Sequence, residues 1–293
     1  MKILTNKART LTTIISFTLG LILNSSLQAT GDIEEAPTLG PIVKYFENFD
    51  ARINPKDSHK IVAWDVDHVL LMPSDQCLHP KYREETNKEM KSLLDGRPLE
   101  DYWSHVLETH PREYVDSEII PFLDSLKERE LKTIGFTNAP TGAYGHYSHL
   151  EKWRMDELKA YKLDFSYSFP EKPYIEFKQI KTKDPNKFPL FMENVLFSCL
   201  LPKGEVVSPF LRAIGGSYDE IISIDDKLEE LTSEMNACET LGIKFKGFHY
   251  TAALNKPVEK LNETRMKYQI RTLLNTTKWL SDGEADQELL FKK

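Results

Sequence analysis

The chain has 293 residues, of which 40% are hydrophobic and 28% are charged, with 13 glycines and 16 prolines. This composition excludes collagen-like, low-complexity and fully disordered proteins, and a chain of this length can bury a large core without disulfide staples. The formal net charge of -7 argues against a nucleic-acid partner, because a general binder presents a basic face to phosphates, although a local basic pocket for one phosphate stays open.

The N-terminus has the layout of a secretory signal peptide. Lys2, Lys7 and Arg9 form a basic start, residues 11–23 are apolar, and Ala29 ends a stretch of small and polar residues. An apolar run of this length is too short to cross a bilayer comfortably. We therefore expect residues 1–29 to be cleaved, the protein to be periplasmic or secreted, and the mature chain to have no stable membrane span. An uncleaved membrane anchor is the alternative.

Export predicts an oxidising compartment, yet the chain has only three cysteines, Cys77, Cys199 and Cys238. An odd and sparse set is not a disulfide framework. Cys199 lies in an apolar run and Cys238 on the apolar side of a helical pattern, so we expect both in the core. One bridge among the three stays open.

Short apolar runs alternate with helical patterns along the rest of the chain. The apolar runs, which are typical of buried strands, are residues 60–64, 131–136, 194–199, 220–224 and a more alternating run at 243–248. The helical patterns between them cover residues 119–126, 206–214 and 228–241. This alternation predicts an α/β fold with a Rossmann-like, mostly parallel sheet, in which ligands bind beyond the carboxyl ends of the strands.

The same patterns predict one core domain with additions. The predicted core domain covers residues 58–280 and ends in a closing helix over 258–274, preceded by a tether at 30–57 with a short helix near 42–49 and followed by a tail at 281–293. Two insertions interrupt the core: 73–116, with helices over 82–94 and 99–109, and 139–190, with a helix over 148–161, a strand over 164–169 and a Lys/Pro-rich loop. We expect the insertion at 73–116 to form a small, mainly helical cap.

Polar residues follow the predicted strands at the points where chemistry is expected. Asp65 and Asp67 come after the first strand, and two carboxylates this close repel each other unless one is protonated or a cation such as Mg²⁺ lies between them. A solvated acidic turn or a helix cap is the alternative for this pair.

Three further groups occupy comparable positions. Asp225 and Asp226 follow the fourth strand, Thr137 and Asn138 end the second, and Lys203 opens the helix that precedes the fourth. Helix caps, turns and an ordinary surface lysine are the structural alternatives.

Taken in order, these groups resemble the motifs of the haloacid dehalogenase (HAD) superfamily of phosphohydrolases. The matching segments are WDVDHVL (64–70), IGFTN (134–138), PKGE (202–205) and ISIDD (222–226). The resemblance covers about residues 58–250 and implies a three-layer HAD core with a cap. The insertions and the export signal resemble those of a group of exported bacterial HAD-like proteins.

The resemblance also implies roles for individual residues. Asp65 would attack phosphorus and form an aspartyl phosphate, and Asp67 would act as general acid and then as general base. Thr137 and Lys203 would bind the phosphoryl group, as would Asn138. Mg²⁺ would be held by Asp65, by the backbone carbonyl of Asp67, and by Asp225 or Asp226.

The resulting hypothesis is an exported, Mg²⁺-dependent phosphomonoester hydrolase acting on a small phosphorylated substrate. Two alternatives stay open: a phosphotransferase or mutase with the same residues, and a HAD-fold binding or host-interacting protein without turnover. Tyr102 and Trp103 in the cap are either packing residues or part of a lid over the site. The oligomeric state is left open.

Overall fold

A mostly parallel sheet of eight strands forms the centre of the protein in the computed structural model, which describes residues 31–94 and 96–291. The described strands are β1 (Gly31–Ala36), β2 (Lys60–Trp64), β3 (Leu71–Pro73), β4 (Arg112–Tyr114), β5 (Lys132–Thr137), β6 (Tyr174–Glu176), β7 (Leu190–Met192), β8 (Val195–Phe197), β9 (Glu220–Asp225) and β10 (Lys244–Tyr250). The predicted signal peptide at 1–29 lies outside the described residues.

Helices cover both faces of this sheet. They are α1 (Gly40–Tyr45), α2 (Arg83–Leu93), α3 (Leu99–Thr109), α4 (Ile119–Glu128), α5 (Leu150–Ala160), α6 (Gly204–Ile214), α7 (Leu228–Leu241), α8 (Ala252–Asn255), α9 (Glu263–Thr276) and α10 (Asp282–Phe291). The protein is therefore an α/β protein with a Rossmann-like layout. Among the residues that the structure describes, no helix is long and apolar enough to cross a membrane.

The strand order in the sheet is β1-β10-β9-β2-β5-β8-β7-β6. Neighbours from β1 to β8 are parallel, whereas β7 and β6 are added antiparallel at one edge. The carboxyl ends of β9, β2 and β5 consequently lie side by side in the middle of the sheet. This is the edge at which parallel α/β sheets bind ligands.

The apolar strands are buried because each face of the sheet packs against its own layer of helices. In β2, Val62 and Trp64 belong to the core on the side of α4, while Ile61 and Ala63 belong to the core on the side of α6 and α7. Alternate residues of a strand point to opposite faces, so a strand covered on both sides is apolar throughout.

The segment at 30–57 is not a tether, as the sequence predicts, but part of the fold. Its residues 31–36 form β1, which pairs in parallel with β10 at the edge of the sheet. Asp32 and Glu34 make this strand look like a solvated segment in the sequence. In the fold both pair with Lys246, whose Nζ lies 2.7 Å from Asp32 Oδ2 and 2.8 Å from Glu34 Oε2. Phe46, just after α1, is fully buried.

The first insertion contains the two predicted helices, observed as α2 and α3, and its ends are joined by the antiparallel pair β3 and β4. The apolar side of these helices packs against α9, where Met90 and Val106 meet Ile270 and Leu273 in one buried cluster. The insertion is thus anchored on the closing helix of the core.

The predicted tail at 281–293 is also wrong in part, because residues 282–291 form α10. Asp75 in the first insertion accepts hydrogen bonds from Trp279 Nε1 at 2.8 Å and from the backbone N–H of Asp282 at 2.9 Å. Asp282 in turn accepts from the backbone N–H of Gln76 at 3.0 Å. These polar contacts join distant segments, so no local pattern reveals them.

In the second insertion, the predicted strand at 164–169 is absent from the described structure, where these residues form turns. Phe165 and Phe169 are buried, and Ser168 Oγ donates to the Thr133 carbonyl and accepts from the Thr133 N–H. The alternating apolar pattern therefore reflects side chains that anchor a turn.

All three cysteines are buried free thiols, so the disulfide bridge that the sequence left open is not formed.

Candidate active site

Asp65, Thr137 and Asp225 lie together at the carboxyl ends of the three neighbouring strands β2, β5 and β9. Asp65 directly follows β2, and its backbone N–H donates to the Ile224 carbonyl at 2.9 Å, which continues the ladder toward β9. The structure thus brings residues from distant parts of the sequence to one edge of the sheet.

Lys203 connects the carboxylates of Asp65 and Asp225. Its Nζ donates to Asp65 Oδ1 at 2.8 Å and also to Asp225 Oδ2, and its side chain is only 1% exposed. The backbone N–H of Lys203 donates to Glu230 Oε2 on α7 at 2.8 Å. Gly204 allows this approach, because a Cβ at that position would lie 2.1 Å from the Ser233 carbonyl oxygen.

Asp65, Asp225 and Asp226 form a cluster whose oxygens lie within 4.8 Å of one another. Burial raises the pKa of Asp65 to about 7, and the neighbouring carboxylates add to the effect while Lys203 opposes it. Burial likewise raises the pKa of Asp225. One lysine does not balance three carboxylates, so a hard divalent cation such as Mg²⁺ fits the charge and the all-oxygen donor set.

The two residues of the acidic pair are not equivalent in this cluster. Asp225 is already engaged by Lys203 and accepts from the backbone N–H of Lys227 at 2.8 Å. Asp226 lines the cavity above the cluster, and its Oδ2 lies 3.3 Å from Nδ1 of His68. Asp226 is therefore the better placed of the two to reach a cation at the floor of the cavity.

Asp67 is held by two arginines rather than by the other carboxylates. Arg112 Nη1 donates to its Oδ1 at 2.7 Å and Arg154 Nη2 to its Oδ2 at 2.9 Å, while Glu157 pairs with both guanidinium groups. Burial alone would raise the pKa of Asp67, but Arg154 and Arg112 outweigh it and hold that pKa well below its usual range. The side chain of Asp67 is thus separate from the cluster of Asp65, Asp225 and Asp226.

His110 links this arginine pair to the cap. Arg112 Nε lies 3.0 Å from His110 Nε2, and the other ring nitrogen, Nδ1, lies 2.6 Å from the Val106 carbonyl on α3. Burial and the neighbouring Arg112 lower the pKa of His110 to about 3, so the ring is neutral. The hydrogen on Nδ1 then points at Val106, and Nε2 accepts from Arg112.

Thr137 and Asn138 differ in what they offer to a ligand. Thr137 is buried, and its Oγ1 accepts from the Ala139 N–H at 3.2 Å, so its hydroxyl hydrogen can point to an oxygen in the cavity. The amide of Asn138, predicted to bind substrate, donates instead to Glu230 on α7. Its Oδ1 is buried with no hydrogen-bond partner among the described residues.

Several residues that matter here were not predicted from the sequence. They are Arg112, Arg154, Glu157 and Glu230. Only a weak signal for these residues was available in the sequence. Arg154 and Glu157 are three residues apart on α5, which also carries apolar residues. Glu230 is buried on α7 together with Leu231 and Cys238. Buried charges need partners, and the partners come from other elements.

A cavity of about 470 Å³ opens above Asp65, Thr137 and Asp226. Its walls come partly from the cap: Arg83, Asn87 and Lys91 on α2, and Leu99, Trp103 and Leu107 on α3. In each set the residues are four apart and share one face of the helix. Trp103 therefore lines the cavity while its partly buried ring also packs against the cluster between the cap and α9, and Tyr102 is a buried member of that cluster.

Comparison with known proteins identifies relatives rather than an activity. A model of a family described as proteins of unknown function, DUF2608, matches residues 42–286. An uncharacterised protein of Rickettsia prowazekii is 30% identical over 242 residues, 78% of this chain and 79% of its own, and one of Rickettsia felis is 28% identical over 247 residues, 78% and 80%. No solved structure matches the chain.

Proposed function

We propose that this chain, which belongs to the DUF2608 family, is an exported, Mg²⁺-dependent phosphomonoester hydrolase with a HAD-like core. The observation that carries the proposal is the position of Lys203, buried between Asp65, which lines the cavity, and Asp225. The order of these residues along the chain matches the HAD motifs, and their meeting at one sheet edge supports the same interpretation. The export rests on the N-terminal pattern.

In the proposed first step, Asp65 is the nucleophile. Lys203 holds Oδ1 of Asp65, which leaves Oδ2 to attack phosphorus while the bond from phosphorus to the ester oxygen breaks. The products are an aspartyl phosphate and an alcohol, whose oxygen takes its proton from Asp67 after that carboxyl has gained it from solvent. Thr137 and Lys203 donate hydrogen bonds as negative charge develops on the phosphoryl oxygens.

In the second step, water attacks the aspartyl phosphate, the bond between phosphorus and Asp65 breaks, and inorganic phosphate leaves. Asp67 is ionised because of its two arginines, which suits it to accept the proton of the attacking water. Its role as an acid in the first step requires that it first gains a proton against the field of Arg112 and Arg154. Asp65 and Asp226 would hold Mg²⁺, whose charge would offset that of the transferring phosphoryl group.

Of the two alternatives, the binding protein without turnover is the weaker on the same geometry. A binding protein without turnover has no need for a buried lysine held against Asp65, because the lysine competes with a cation for the same carboxylates. A phosphotransferase or mutase uses the same residues and differs only in the acceptor that replaces water. The residues of the cavity walls therefore determine whether water or another acceptor receives the phosphoryl group.

The direct test is hydrolysis of a generic aryl phosphate by the purified protein. We expect phosphate release that requires Mg²⁺ and stops when a chelator removes it. Adding a short alcohol separates hydrolysis from transfer, since a transferase would form the new phosphate ester in proportion to the alcohol. Absence of release with Mg²⁺ from aryl phosphate and from a panel of phosphorylated metabolites would contradict the proposal.

A further inference from the structure

We propose that His105, Glu108 and His146 form a zinc site that joins the cap to the second insertion. His105 and Glu108 lie on α3, while His146 lies on the loop before α5. Their ligand atoms come within 4.8 Å of one another, and no part of the proposed catalytic machinery belongs to the set. The site stands independently of the proposed function.

The hydrogen bonds of Ser104 decide which nitrogen of His146 is free. Ser104 Oγ donates to the Asp101 carbonyl at 2.8 Å, so it accepts from His146 Nδ1, which lies 2.9 Å away. The hydrogen of the neutral ring is therefore on Nδ1, and Nε2 carries a lone pair. Metal-binding histidines are held in the same manner, with the second ring nitrogen donating to a fixed acceptor.

The free nitrogen lies near a carboxylate. His146 Nε2 lies 3.3 Å from Glu108 Oε2, and His105 Nδ1 lies 3.9 Å from the same oxygen. Two lone-pair acceptors at this distance repel each other unless a cation lies between them, either a proton or a metal ion. Tetrahedral zinc with bonds of about 2.1 Å needs ligand atoms separated by roughly 3.4 Å. The His146–Glu108 distance of 3.3 Å matches this value, and the His105–Glu108 distance of 3.9 Å has to shorten on binding.

The backbone is built to keep the loop in this place. Gly145 has a positive φ of 53°, and a Cβ there would lie 2.1 Å from Ser104 Oγ and 2.5 Å from the Glu100 carbonyl oxygen. Tyr144 and Tyr147 close the loop around it with a pair of backbone hydrogen bonds. The rings of His105 and His146 stack with centroids 4.4 Å apart, which brings the two histidines together, and rotation of one ring directs both nitrogens at a shared ion.

The donor set selects the metal. Two imidazoles and one carboxylate suit Zn²⁺ and other first-row transition ions and do not suit Mg²⁺, which requires oxygen ligands. Three protein ligands leave one position for water. Since Trp103 and Leu107 on α3 and Tyr144 on the loop line the same cavity, zinc at this site would fasten two of its walls together.

The test is calorimetric titration of the full chain with zinc chloride. We expect wild-type protein to bind one more zinc ion than the variant H105A/H146A, and E108Q to bind that ion at least ten-fold more weakly. The matched control is H59A, which removes an exposed histidine at the opposite end of β2 and should behave as wild type. The difference in zinc stoichiometry between wild type and H105A/H146A counts only the ion at this site, because zinc held by the Asp65 cluster is present in both proteins.

Two further measurements make the test decisive. Cobalt(II) should give visible absorption bands with wild type that are lost in H105A/H146A, and zinc should slow amide hydrogen exchange over residues 142–149 only where the histidines are present. Because these side chains are partly exposed, the variants should keep the melting temperature of the metal-free protein. Equal zinc stoichiometry and affinity in wild type and H105A/H146A, or no zinc binding, would overturn the proposal and leave a proton-mediated ion pair.

Discussion

Arg154 Nη2 donates to Asp67 Oδ2 at 2.9 Å, although 87 residues separate the two in the sequence. Arg112 holds the other carboxylate oxygen, and Glu157 balances the two guanidinium groups. The residue proposed as acid and base is therefore fixed in position and ionised. The side chain of Asp67 is still 36% exposed, so solvent weakens the interaction energy of each pair.

A double-mutant cycle measures this pairing. D67N and R154M should each lower the free energy of unfolding, since each leaves a charged group of the network without its partner. The double variant should lose less than the sum of the two, with a coupling energy of about 1 kcal/mol after allowing for solvent screening. Urea unfolding of the four proteins provides the values, and strictly additive losses would show that the contact contributes nothing.

Replacing the nucleophile should abolish the proposed activity. D65N keeps the shape of the side chain, but an amide is a poor nucleophile and a weaker metal ligand, so phosphate release should fall by at least about 10³-fold. D219N, which removes an exposed acid at the far end of β9, is the control and should keep the wild-type rate. Release by D65N at a rate near that of wild type would reject Asp65 as the nucleophile.

Asp226 should set the magnesium requirement. The variant D226N keeps the Lys203 contacts to Asp65 and Asp225, but it removes the carboxylate that faces the cavity. We expect the Mg²⁺ concentration for half-maximal activity to rise about ten-fold or more, with D219N unchanged. An unaltered Mg²⁺ titration would leave Asp226 as a partner of His68 alone.

Glu234 should lower the free energy of unfolding at neutral and alkaline pH. It is fully buried on α7, its Oε1 accepts from Ser223 Oγ at 3.1 Å, and its Oε2 has no hydrogen-bond partner among the described residues. Burial raises the pKa of Glu234 to about 8. Its neutral form is retained in the folded state while the unfolded chain ionises, so stability falls as pH rises from about 4.5 to about 8.

The isosteric variant E234Q lacks this titration. Its melting temperature should therefore gain on wild type as pH rises from 5 to 8, by an amount equivalent to about 3.5 kcal/mol at most. Thermal unfolding at several pH values measures the difference. A constant difference across that range would mean that the folded protein holds Glu234 ionised, by virtue of Lys203.

Two neighbouring aromatics of the cap should respond in opposite ways. Trp103 faces the cavity, so W103A should change the ranking of phosphorylated substrates while small aryl phosphates are still hydrolysed. Tyr102 is only 7% exposed in the cluster with α9, so Y102A should lower the free energy of unfolding by about 3 kcal/mol and leave the ranking intact.

This pair of variants tests the cap better than its removal. Replacing residues 73–116 would also take away Arg112 and expose the apolar side of α9. A substrate ranking that W103A leaves unchanged would direct attention to Arg83 and Lys91 on the other wall.

Periodicity in the sequence was enough to place most of the elements that carry the site. Strands covered on both faces are mostly apolar, as β2, β5 and β9 are, and the polar residues that end them stand out. The helices of the cap are equally visible, because their exposed and buried sides alternate with helical spacing. Local patterns of this kind determined the α/β class and the candidate residues Asp65, Thr137, Lys203, Asp225 and Asp226.

Only the tertiary structure decided which charged residues meet. Asp67 and Arg154, Lys203 and Glu230, and His105 and His146 are paired by the packing of separate elements, and nothing in the local sequence of either partner specifies the other. The same holds for β1. Its acidic residues are typical of a solvated tether, but in the fold they pair with Lys246 at the sheet edge. The cost of burying a charge depends on its neighbours in space, so these pairings follow from the fold and not from the local sequence around each residue.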